Sequence, residues 1–109
     1  MTINTAELAG NMLVAMRGVL SEKWPKIRGY GEAEAHKLAQ SLSKIQALII
    51  AGEIDEEEAM LHLAIQRNAS QSVLLTLAGL SALAVEQALN AAFDAIKDTV
   101  NTALGFPLL

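Results

Sequence analysis

The sequence predicts an all-α fold, and three observations carry that prediction. Alanine and leucine, both strong helix formers, dominate the chain. No run shows the period-two alternation of β-branched residues expected of a strand. Apolar residues instead recur at spacings of three and four along most of the chain.

The first helical stretch covers roughly residues 4–23. Leu8, Met12, Met16, Val19 and Leu20 keep helical spacing, with Glu7, Asn11 and Arg17 on the other faces. It should stop near Trp24, because the residue before a proline is pushed out of the α region. The second stretch runs from Pro25 to about residue 51. Proline suits a first helical position, where its missing N–H would be unpaired anyway. Leu38, Leu42, Ile45 and Ile49 form one stripe, and Gly52 is placed to end the helix in a left-handed conformation. The third stretch opens at once. Asp55 fits an N-cap, and Glu58 three residues later completes the pattern of a capping box. Only Gly79 interrupts the run before Gly105 and Pro107, so the spacing predicts one long helix over 56–104.

Such a helix would be ~70 Å long at ~1.5 Å per residue. It does not fit a compact domain of 109 residues. Either the helix breaks near Gly79 into a small bundle of short helices, or the chain is a long antiparallel hairpin. Folded about residue 53, the hairpin has arms of equal length, and Pro25 stands level with the neighbourhood of Gly79. That match favours a hairpin with a kinked first arm and a long last helix, self-associating into a four-helix-type bundle, all within one domain over 1–109.

Composition points to assembly as well. Hydrophobic residues make up 52% of the chain, and mean hydropathy is +0.33. A small domain leaves much of its surface wet, so the surplus needs a partner or a membrane. On a helical wheel residues 73–85 show no polar face, since Leu74, Leu75, Leu77, Leu80 and Leu83 point in separate directions. With Leu89 and the apolar tail residues Phe106 and Leu108, they form the expected oligomer interface. The small residues Ala78, Gly79, Ala82 and Ala84 would let a second helix approach closely. The chain itself is thus the expected partner. A membrane segment is a secondary reading, because the apolar part of this stretch is shorter than a spanning helix requires.

The net charge of −4 argues against a nucleic-acid surface built on overall charge. The absence of cysteine excludes disulfides, thiolate catalysis and cysteine-ligated zinc. The first ten residues carry Glu7 and no basic residue, unlike a signal peptide, so the expected compartment is the cytoplasm.

Candidate chemistry is sparse. Asp55, Glu56, Glu57 and Glu58 are explained by the positive end of a helix dipole. His36 follows Glu32 by four residues, and His62 follows Glu58 by four. Di-iron carboxylate bundles use Glu-x-x-His, a spacing of three, so a ferritin-like site for iron or zinc made of Glu32, His36, Glu58 and His62 would have to form between subunits. Arg17, Lys23, Lys26 and Arg28 surround Trp24, with Tyr30 nearby, a mixture that can hold a polyanion. Trp24 is also placed to plug the bend between the first two helices. No nucleophile–base pair and no glycine-rich phosphate loop is visible. The expected function is that of a homo-oligomeric structural or interaction protein with neither cofactor nor catalytic site.

Overall fold

In the computed structural model, which describes residues 3–77 and 79–109, the chain forms four α-helices: α1 (Thr5–Leu20), α2 (Trp24–Ile50), α3 (Glu56–Leu75) and α4 (Ala82–Leu104). The all-α class is as the composition predicts, and no strand occurs among the described residues.

Helix boundaries follow local chemistry. Asn4 caps α1, its side chain accepting from the Glu7 N–H at 3.0 Å. One turn of 3₁₀ helix, Ser21–Lys23, joins α1 to α2, and Ser21 takes a positive φ of 42°. This segment is a reversal, where the sequence predicts a kink in a continuing arm. The buried Gln46 of α2 shows it, because its Oε1 accepts from the Ile3 N–H at 2.8 Å. The start of α1 therefore lies beside the end of α2. Nearby, Thr5 and Ser43 share a hydroxyl hydrogen bond of 2.7 Å.

The α2–α3 turn is the most predictable part of the chain. Gly52 has φ of 73° and donates to the Ile49 carbonyl, while the Glu53 N–H reaches the Leu48 carbonyl. These two bonds define a Schellman ending. Asp55 and Glu58 then form the full capping box, each side chain accepting from the other's backbone N–H.

The continuous last helix expected over 56–104 is overturned: it breaks at residues 76–81. Thr76 folds its hydroxyl back onto the Val73 carbonyl, Gly79 adopts a φ of 85°, and Ser81 caps a new helix by accepting from the Ala84 N–H. The molecule measures 42 Å along its longest axis, which cannot contain a ~70 Å rod. The break also removes the basis for an all-round apolar segment at 73–85, because those residues do not share one helix. Ala78 lies outside the described residues.

The helices pack with α1 between α2 and α4, and with α3 closing against both α2 and α4. The Gln46 amide donates to the Ala103 carbonyl, which places the end of α4 beside the start of α1 and the end of α2. At the opposite end the Lys23 ammonium lies against Gly79. The core holds Leu8, Met12 and Met16 of α1, Leu38 and Leu42 of α2, Leu74 of α3, and Val85, Leu89, Ile96 and Val100 of α4.

Candidate functional site

The predicted interface residues separate into three groups. Leu74, Leu89, Phe106 and Leu108 are buried in the chain's own core. The tail that carries the last two folds back: the Leu109 N–H donates to Asn101 Oδ1 at 3.0 Å, and the Asn101 amide returns a bond to the Leu109 carbonyl. Leu77 and Leu80 are half-buried in the α3–α4 connection. Leu75 and Leu83 remain exposed, Leu83 by 63%. Of the eight, these two alone are exposed to a partner.

The widest apolar exposure lies on α3, which the sequence reading passed over. Its buried residues are Ala59, Leu63, Ser70 and Leu74, one narrow stripe. Arg67 continues that stripe as an anchor to α4, with its guanidinium 5.2 Å from the Phe93 ring centroid and hydrogen-bonded to Asn90 Oδ1. Turned away from it, Leu61 is 60% exposed and Ile65 65% exposed, with Met60 and Leu75 also open. A clue was available in sequence: apolar residues occupy more of the helical circumference than one buried stripe can use.

The carboxylate–histidine pairs hold other roles or face solvent. Glu32 Oε1 accepts from Arg28 Nε at 2.8 Å. Glu58 belongs to the capping box. His36 and His62 are exposed. Among the described residues no group of three or more histidines and carboxylates stands together as a metal site. No described helix is long and apolar enough to cross a membrane.

Arg17, Trp24 and Arg28 do converge. With Leu13, Val14 and Gly18 they line a surface groove of about 830 Å³ between α1 and α2. Trp24 is half-buried, and its ring rests on Gly31, where even a methyl group would stand 2.7 Å from two ring carbons. It packs the α1–α2 corner, as its position before Pro25 suggests. A second groove, of about 490 Å³, lies between α3, α4 and the tail, with Arg67, Asp94 and Lys97 on its rim.

No protein-family model, curated protein or solved structure matches this chain. Function therefore rests on the surface chemistry of the molecule itself. Among the described residues that surface combines one helix with two apolar faces, one buried and one open, and two shallow grooves with mixed polar rims.

Proposed function

We propose that this chain is a homo-oligomeric helical structural or interaction protein. The observation that supports the reading is the outer face of α3, where Leu61 and Ile65 stay more than half exposed on a helix whose other face is buried. Scattered apolar side chains are ordinary on a protein surface, but several along one side of one helix form a patch suited to a partner.

The energetic argument is direct. Covering a Leu or Ile side chain contributes about 1.5–3 kcal/mol when burial is complete. Three or four such residues on one face, offset by lost rotational freedom and side-chain ordering, suit an association in the micromolar range. A four-helix bundle shared between two copies belongs to this reading in a changed form, because each copy already buries its own core, and what is shared is a helix face.

Light scattering coupled to size exclusion, without detergent, tests the proposal. The expected result is a molar mass at least twice that of the monomer at high micromolar concentration, falling on dilution. A constant monomer mass across that range would overturn it.

A further inference from the structure

Resting on the self-association just proposed, we infer that two copies pair through antiparallel α3 helices, with a two-fold axis passing beside Asn68. A second copy is the occupant because the outer face of α3 is self-complementary about that residue. Leu61 and Leu75 lie seven positions on either side of Asn68, and Ala64 and Ser72 lie four on either side. All five positions are exposed. Their spacing of three, four, four and three residues keeps all five on one face of α3, the seam a helical pair requires. In the antiparallel arrangement each Leu61 meets Leu75 of the second copy, and each Ala64 meets Ser72. The small side chains flanking the centre permit close approach, and the large ones fill the two ends.

A two-fold dimer uses one surface patch twice, so complementarity about a central residue is the property such a patch must have. Asn68 then faces its own copy across the axis. Its amide offers both donors and acceptors, so the two side chains can satisfy one another. An amide paired with itself at the centre of the seam fixes register, since sliding leaves it unpaired.

Charge complementarity supports the antiparallel direction. The acidic start of α3, Glu56 to Glu58, comes to the end of the second copy where α3 gives way to α4. There the Lys23 ammonium lies against Gly79. The carboxylates of one copy thus come toward the end of the other that carries the Lys23 ammonium. A parallel pair would instead set the two acidic helix starts side by side, where like charges repel.

The chain contains no cysteine, which makes disulfide mapping clean. Three single variants, Asn68→Cys, Leu61→Cys and Leu75→Cys, are made in the full chain, each at an exposed position and each checked for helix content. Under mild oxidation Asn68→Cys should form a covalent dimer readily. Mixed Leu61→Cys and Leu75→Cys should give the heterodimer in excess over either homodimer. Leu83→Cys, exposed but outside the seam, serves as the collision control. If the unmodified protein is a monomer by mass, both the proposed function and this inference fail. If it is a dimer yet Asn68→Cys cross-links no faster than Leu83→Cys, or Leu61→Cys pairs preferentially with itself, the antiparallel α3 pairing alone is overturned.

Discussion

Helices α3 and α4 have similar lengths and adjoin in the chain, but they use their apolar residues in opposite ways. In α4 a single stripe of Val85, Ala88, Leu89, Ala92, Phe93, Ile96 and Val100 is buried, and the large apolar residue left outside it is Leu83 in the first turn. In α3 the buried stripe is Ala59, Leu63, Ser70 and Leu74, which includes two small residues, while Met60, Leu61, Ile65 and Leu75 remain open. The comparison teaches that hydrophobicity alone does not rank helices by their hold on the core. α4 is a keystone between α1, α2 and α3. α3 is held by a narrow stripe, an arginine on a phenylalanine ring and a well-made cap, and it has apolar surface to spare.

The largest test of this contrast is a core truncation in α4. Leu89 is fully buried, so Leu89→Ala removes its contacts and leaves a cavity among neighbours that only partly relax. The expected loss is about 2–5 kcal/mol, read from urea unfolding as a lower midpoint with an unchanged slope. A loss under about 1 kcal/mol would show that α4 is not the keystone.

The next test moves to the α1–α2 corner, against which both later helices are built. Gly31→Ala sets a methyl group 2.7 Å from ring carbons of Trp24, so the ring must shift. We expect destabilisation of about 1–2 kcal/mol, the overpacking outweighing the helix-propensity gain of alanine. Gly18→Ala, on α1 with open space around the added methyl group, should instead stabilise by up to about 1 kcal/mol. Thermal unfolding of the pair separates the two outcomes by their sign.

A third test weakens α3 at its start. Asp55→Ala deletes the side chain that accepts from the Glu58 N–H and takes apart the capping box. The expected cost is about 1 kcal/mol. Because α3 has little burial to compensate, amide hydrogen exchange should accelerate in its first turns more than in any turn of α4. Equal acceleration in both helices would contradict the view that α3 is the more loosely held.

How much of this was legible in the sequence depends on whether the signal is local. The Gly52 ending, the Asp55–Glu58 box and the Gly105 stop are each decided within a few residues, and all three stand as the sequence implies. The reversal at Ser21 was not legible, since a serine at positive φ carries no distinctive neighbour pattern and is imposed by α1 packing back on α2. The break at 76–81 was half-legible. Gly79 was a visible breaker, but Thr76 and Ser81 are equally at home inside a helix or at its ends. The role of Gln46, joining the chain start to α2 and α4, depends on three distant segments and has no local sign. Spacing placed Glu32 and Glu58 with His36 and His62 only in a secondary, intersubunit metal reading. Their closer neighbours Arg28 and Asp55 decide what each carboxylate does.

The smallest expected effect is also the one that separates the two faces of α3. Ile65 is mostly exposed, so Ile65→Ala should change unfolding free energy by no more than about 0.5 kcal/mol when the protein is diluted below the concentration at which the proposed association sets in. Self-association adds stability by mass action, so the melting temperature of the unmodified protein should rise with its concentration. In Ile65→Ala that rise should shrink, because the proposed α3 pair would lose a flanking apolar contact. Leu83→Ala, equally exposed but on α4, should keep the full concentration dependence. The comparison fails if Ile65→Ala destabilises the dilute protein as strongly as a core truncation, since its side chain would then belong to the fold. It also fails if both variants leave the concentration dependence intact, since the open face of α3 would then take no part in association.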